Sequence, residues 1–250
     1  MRTVVVGASS GLGRCIAVGL AHTGARVALM ARRQERIDEA AVEAGGGAVA
    51  IACDVTDETS CRAAIEQAAA ELGGIDALLY APAIGPLQRI EHVDAGAWRD
   101  VFDTNVIGAS LITAAALPHL IETRGVAAYL SSVSANHTPP WPGLGAYIVS
   151  KAALEKLIEV WRTEHPAVGF TRLVIGDCVG SEGPGLTEFA NKWDQELAAE
   201  VGPVWLARGL LAGAYIDVND LVRVVDNVLR VGASASLPTV VVTPRTQPPT

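Results

Sequence analysis

The chain has 250 residues, half of them hydrophobic, and a net charge of -8, which suits one α/β domain with a sizeable core. That negative balance argues against nucleic acid and anionic membrane surfaces as partners. No run of about eighteen apolar residues is present, so no membrane span is expected, and Met1-Arg2 leads straight into a strand-like segment with no signal-peptide pattern. The four cysteines, Cys15, Cys53, Cys61 and Cys178, show no C-x-x-C or Cys/His metal spacing. They read as small buried hydrophobes in a reducing compartment, so a soluble cytoplasmic protein without a metal is expected.

Taken in order, Thr3 to Val6 is a short β-branched run. It meets Gly7-Ala8-Ser9-Ser10-Gly11-Leu12-Gly13 and then a helical pattern from Arg14 to His22. A strand, a glycine turn and a helix are the first half of a dinucleotide-binding unit. Gly7 permits the tight turn, Gly11 and Gly13 let backbone approach a cofactor, and the helix N-terminus offers N–H groups to a pyrophosphate. A second strand, Arg26 to Ala31, ends in Arg32-Arg33. An acidic residue near this strand end would hold a ribose 2′-hydroxyl, and there is none. Guanidinium groups suit a 2′-phosphate, so NADP(H) is favoured and NAD(H) remains possible.

A helix then reaches Gly45-Gly46-Gly47, and the strand Ala48 to Ala52 leads into Cys53-Asp54-Val55. Thr56-Asp57-Glu58-Thr59 opens an Ala-rich helix that Gly73-Gly74 ends, and Asp76 to Tyr80 is the fourth strand. Strands and helices alternate at βαβ spacing, so the sheet should be parallel and helix-covered on both faces. Asp94 to Ile121 reads as one long helical region, capped by Asp94, bent or ended by Pro118, with Asn105 inside it. The strand Val126 to Leu130 runs into Ser131-Ser132-Val133-Ser134, which puts hydroxyls at a carboxyl strand end, where ligands bind in open parallel sheets.

Tyr147 and Lys151 stand four apart at the start of a helical segment running to about Trp161, so they share a face. A Lys beside a Tyr favours the phenolate and should lower the phenol pKa, which makes the pair a candidate proton donor and acceptor. The stretch from Ser181 to Gly213 holds Trp193, Pro203 and Trp205; it reads as a substrate lid or as a surface helical element with its indoles in packing contacts. Asp217 to Val231 is an amphipathic helix, Pro238 to Val242 is a last strand, and residues 244–250 form a Pro-rich tail expected to fray.

The chain resembles the short-chain dehydrogenase/reductases. The matching pieces are Gly7-x3-Gly11-x-Gly13, Asp54-Val55, Asn105, Ser131-Ser132-Val133-Ser134 and Tyr147-x3-Lys151, in the family's order, covering residues 1 to about 175. The resemblance implies one Rossmann-like domain, a doubly wound parallel sheet of about seven strands. It also implies hydride transfer between NAD(P)(H) and a small-molecule carbonyl or alcohol. Tyr147 would be the general acid in reduction and the base in oxidation. Lys151 would lower its pKa and bind the nicotinamide ribose. Ser132 would hydrogen-bond the substrate oxygen, Asn105 would hold a water linking Lys151 to solvent, and Asp54 would touch the adenine beside the Val55 backbone.

Three departures from the family pattern stand out. The fourth strand ends Tyr80-Ala81-Pro82-Ala83 where Asn-Asn-Ala-Gly is usual, which puts Ala81 and Pro82 beside the cofactor. The interval from Ser132 to Tyr147, through Asn136 to Pro142, is longer than usual, so Ser134 competes with Ser132 for the substrate-contacting role. Gly176-Asp177-Cys178-Val179-Gly180 replaces the usual Pro-Gly after the sixth strand. A nucleotide-sensing relative that does no chemistry is the alternative these departures motivate; the intact Asn105, Ser132, Tyr147 and Lys151 set argues against it. Finally, the segment from Asn105 to Ile121 and the helix after Tyr147 are apolar on more than one side, and the family pairs these helices across a two-fold axis, so a homodimer or homotetramer is expected.

Overall fold

A computed structural model describes residues 1–180 and 189–245. Its strands are β1 (Arg2–Val6), β2 (Arg26–Ala31), β3 (Val49–Ala52), β4 (Ala77–Tyr80), β5 (Val126–Ser132), β6 (Gly169–Ile175) and β7 (Thr239–Val242). They pair in parallel throughout, in the order β3-β2-β1-β4-β5-β6-β7. The central strands are apolar on both faces, as strands covered by helices on both sides must be: Val4, Val5, Val6, Leu78 and Leu79 are fully buried.

One face of the sheet packs α1 (Gly11–His22), α2 (Gln34–Ala44) and α9 (Val218–Leu229), with Ile16, Leu20, Ile37, Leu221 and Val225 in the shared core. The other packs α3 (Glu58–Leu72), α5 (Gly108–Thr123) and α7 (Gly145–Glu164), through Ile65, Leu72, Ile112, Leu120, Leu154 and Ile158. Three aspartates start helices as their sequence positions suggest. Asp57 accepts from the Thr59 and Ser60 amides, Asp94 from Ala97 and Asp217 from Asn219.

The structure corrects several boundaries. The first helix starts at Gly11 rather than Arg14, so the glycine turn is itself the first helical turn. The long Asp94–Ile121 region divides into α4 (Ala95–Phe102), a π-type turn over Asp103–Ile107, and α5. Pro118 does not end α5, which continues to Thr123, because Ile112, Ala116 and Leu120 anchor it in the core and outweigh the roughly 3 kcal/mol that an interior proline costs. By length and composition the run Ala95–Thr123 is apolar enough to cross a membrane. Scattered polar residues such as Asn105 and Thr113 kept it from reading as an uninterrupted apolar run; in the fold it lies against the sheet. The serine run is not an ordinary loop: Ser132 ends β5 and caps the one-turn helix α6 (Val133–Asn136).

Part of the expected lid, residues 181–188, lies outside the described residues, as does the tail from residue 246. The remainder of the lid segment forms α8 (Gln195–Ala207), with Pro203 inside it. Trp205 packs with Trp141, Leu87, Leu144, Ile148 and Val201 in a third apolar cluster beside α7.

Candidate active site

The strand order reverses between β1 and β4, and the carboxyl ends of these strands and of β5 meet there. At the end of β1, Gly7 adopts φ +82°, and a side chain on it would begin 2.8 Å from the Pro82 nitrogen. Gly13 leaves no room for a side chain either, because its Cβ would lie 2.3 Å from the Gly7 carbonyl oxygen. The turn and the start of α1 are therefore pressed together as a phosphate cradle requires. Gly180, in the loop after β6, closes over the backbone of Gly11 and Leu12 from the other side.

Arg33 caps the start of α2 and reaches back to this turn: its Nη2 donates to Ser9 Oγ at 2.8 Å and to Ser10 Oγ at 3.0 Å. Arg32 is exposed beside Asp54 and lends it positive charge. Both arginines are exposed; they differ in that Arg33 is bonded to the turn. Asp54 turns its Oδ1 to the Thr56 amide and hydroxyl, at 3.0 and 2.8 Å. Burial pulls the Asp54 pKa up, but these bonds and Arg32 leave it below the ordinary carboxylate value. Val55 is buried beneath α5, its carbonyl facing Gly108.

The altered end of β4 is tied down by different means. The Tyr80 hydroxyl donates to the Thr104 carbonyl at 2.5 Å. That fit needs Gly108, where a Cβ would lie 2.8 Å from the same hydroxyl. Ala81 continues the β1 pairing through its amide, which donates to Val6 O at 3.1 Å. Asn105, in the π-type turn, is fully buried and clamps Ile84: its Oδ1 accepts from the Ile84 amide and its Nδ2 donates to the Ile84 carbonyl, both at 2.8 Å. The Nδ2 also donates to Ser150 Oγ at 2.9 Å. Both amide protons are thus spent on protein, which makes this side chain a clamp on the β4 loop.

At the end of β5 the three serines diverge. Ser131 is buried against α7 and donates to Glu155 at 2.7 Å. Ser132 is half-buried, and its hydroxyl is among the groups that act on the Tyr147 phenol, holding its pKa down. Ser134 is buried behind Ser132, with their hydroxyls 2.9 Å apart. Ser132 is thus the more exposed of these two hydroxyls, and Ser134 is held behind it.

Tyr147 and Lys151 share the α7 face as their spacing requires, with Lys151 Nζ 5.8 Å from the Tyr147 ring centre. The expected lowering of the phenol pKa is not what the structure gives. Burial pushes Tyr147 up to about 12, with the Ser132 hydroxyl working the other way. Lys151 is almost wholly buried and donates to the Leu130 carbonyl at 2.6 Å. Burial lowers its pKa to about 8, and Glu155 opposes that fall. Spacing put the two groups on one face, but desolvation set the direction in which each titrates.

Sequence reasoning missed the wall opposite the pair. The Phe189 ring meets Tyr147 edge-on, centres 4.9 Å apart, and an aromatic chain continues through Trp193, Trp205 and Trp141. Trp193 donates its indole N–H to Gly85 O and Trp205 to Pro142 O, both about 3 Å away. It also missed Glu155, whose signal was available: 147, 151 and 155 continue one i, i+4 row. Among the described residues no group of His, Cys, Asp and Glu is arranged to hold a metal ion.

A family model described as short chain dehydrogenase matches residues 2–177. A short chain dehydrogenase of Pseudocercospora fijiensis is 38% identical over 174 residues, 66% of this chain and 55% of that protein. The chain spans about half the length of the curated relatives it matches. Among solved structures, an alcohol dehydrogenase of Thermococcus sibiricus complexed with 5-hydroxy-NADP superimposes with a TM-score of 0.80 at 22% identity, covering 99% of this chain and 98% of that one. A 3-ketoacyl-(acyl-carrier-protein) reductase of Brucella melitensis complexed with NADH gives 0.77 at 23% identity, covering 96% of each chain.

Proposed function

The chain belongs to the short-chain dehydrogenase/reductase family, and from that premise we propose an NADP(H)-dependent oxidoreductase that interconverts a small-molecule carbonyl and its alcohol, with Tyr147 as general acid and base. The observation that carries the reading is the placing of Tyr147 and buried Lys151 on one face of α7, with the ammonium 5.8 Å from the phenol ring and bonded to Leu130 O at the carboxyl end of β5. The donor set at the first turn supports the cofactor: Ser9, Ser10 and Arg33 form a polar cluster suited to a 2′-phosphate, and the close Gly7–Gly13 turn suits a pyrophosphate. Solved structures of this fold carry 5-hydroxy-NADP or NADH, which supports a nicotinamide cofactor here.

When bound, that cofactor supplies or accepts hydride at the substrate carbon. The protein's own work is proton transfer and orientation. Tyr147 keeps its proton at neutral pH, because burial raises its pKa, and so can deliver it to a carbonyl oxygen in reduction. In oxidation the phenolate oxygen takes the alcohol proton. Ser132 holds the substrate oxygen in line with the phenol. Lys151, charged at neutral pH but close to its own titration, stabilises the phenolate that reduction leaves behind. Asn105 fixes the Ile84 loop, and Phe189 presents an apolar face to the reacting side.

Assembly belongs to the same proposal. Ile107 and Ile121 of the π-turn and α5, and Val149 and Val160 of α7, are each more than two-fifths exposed on helices already packed on the sheet. A second copy paired across a two-fold axis would cover them. The experiment that tests the reading is nucleotide oxidation or reduction against a panel of carbonyls and alcohols. Turnover with NADPH supports it; tight nucleotide binding with no turnover on any substrate would leave the sensing alternative instead.

A further inference from the structure

One charged side chain beside the site has no part in the scheme above. Glu155 follows Lys151 by one turn of α7 and is only 2% exposed. Its Oε1 accepts from Ser131 Oγ at 2.7 Å, and its Oε2 accepts from Asn136 Nδ2 at 2.7 Å. Arg172, on β6, brings Nη1 to 3.4 Å from Oε2 and 3.3 Å from Glu159. A buried carboxylate is retained only where donors and opposite charge replace its water. Here those donors come from three separate elements, β5, α6 and β6, and converge on one residue of α7.

The residues it grips matter more than their number. Ser131 lies between Leu130, whose carbonyl takes the Lys151 ammonium, and Ser132, whose hydroxyl acts on the Tyr147 phenol. Holding Ser131 therefore holds both neighbours against α7. Glu155 is also the charged group that opposes the loss of charge on buried Lys151. The other charged groups facing this cluster are Glu159, on α7 itself, and Arg172, on β6, which pairs with both carboxylates. The phenols of Tyr80 and Tyr129, in the same layer, are engaged by Thr104 and Thr113.

We propose that Glu155 is a positioning residue, which registers the Leu130–Ser132 strand end on α7 and so sets Lys151 in its place beside Tyr147. The inference rests on the oxidoreductase reading for its purpose but not for its electrostatics, which are measured without cofactor or substrate. The chain has only three lysines, Lys151, Lys156 and Lys192, so a ¹³C-lysine spectrum of the whole protein resolves each one's titration. Glu155→Gln should move the Lys151 midpoint down by about one to two pH units, while Glu155→Asp keeps it near wild type. Arg172→Gln removes the cation that offsets Glu155 and should move the midpoint up, which keeps the test decisive if Glu155→Gln does not fold. In turnover, the loss of activity on the alkaline side should shift with the Lys151 midpoint, and Glu155→Asp should restore it. A Lys151 midpoint unchanged in folded Glu155→Gln, or unmoved in Arg172→Gln, overturns the proposal. If the variants show these shifts yet the wild type turns over nothing, the oxidoreductase reading is overturned instead.

Discussion

Lys151 donates to the carbonyl oxygen of Leu130 across 2.6 Å, and this bond to β5 fixes its ammonium while its ring neighbour Tyr147 lies 5.8 Å away. Burying an ammonium against one carbonyl lowers its pKa from the ordinary 10.5 to about 8. The sign for stability follows. Between these values the unfolded chain binds more protons at this group than the folded one, so its contribution rises with pH across that window. Wild-type stability relative to Lys151→Met should therefore increase from pH 8 to about 10, by one to a few kcal/mol at most. Urea unfolding of both proteins over that range checks this; a constant difference would contradict it.

Tyr147 shows the opposite behaviour, since burial raises its pKa and keeps the proton on. Tyr147→Phe should retain nucleotide binding and lose turnover by roughly 10²–10⁴-fold, the usual contribution of a positioned acid or base. Steady-state rates together with a nucleotide titration separate the two effects. A variant that keeps more than about a tenth of the wild-type rate sinks the acid–base role.

The two arginines after β2 should differ in weight. Arg33 is bonded to Ser9 and Ser10, so Arg33→Ala should weaken NADP(H) binding by roughly ten-fold or more while leaving NAD(H) almost unchanged. Arg32→Ala should cost less. Equal affinity of the wild type for the two nucleotides, read by fluorescence titration, would refute the 2′-phosphate assignment.

Tyr80 and Gly108 are fitted to one another. Gly108→Ala puts a methyl against the Tyr80 hydroxyl and the Val55 backbone, and should destabilise by about 1–3 kcal/mol. Tyr80→Phe gives up the Thr104 bond, at about 1 kcal/mol, and should reduce the additional cost of the alanine. Thermal unfolding of the single and double variants measures the coupling, and strict additivity would show that the two residues do not share this contact.

Assembly is tested by light scattering at micromolar concentration. A homodimer or homotetramer is expected, and replacing Val149 and Ile121 with charged residues should push it toward the monomer. A wild-type mass near 26.0 kDa would rule out the paired-helix arrangement.

What the sequence determined by itself was whatever depends on local periodicity. Alternating apolar strands and helices dictated a parallel sheet covered on both faces, and the six strands read from that alternation are all present; β6 (Gly169–Ile175) is the one the periodicity did not bound. The glycine spacing at Gly7, Gly11 and Gly13 marked the tight turn, and the i, i+4 spacing placed Tyr147 and Lys151 on one face. Tertiary structure decided everything that depends on which groups lose water and which distant partner they meet. The difference in exposure between Ser132 and Ser134 turns on burial behind the strand end. The use of Asn105 as a clamp depends on Ile84, which is twenty-one residues away in the chain. The phenol titrates upward because desolvation outweighs what a nearby lysine would do, and that lysine is drawn to Leu130. Sequence spacing sets the face on which a side chain lies. The dielectric it enters and the partner it meets are set by elements brought together from distant parts of the chain.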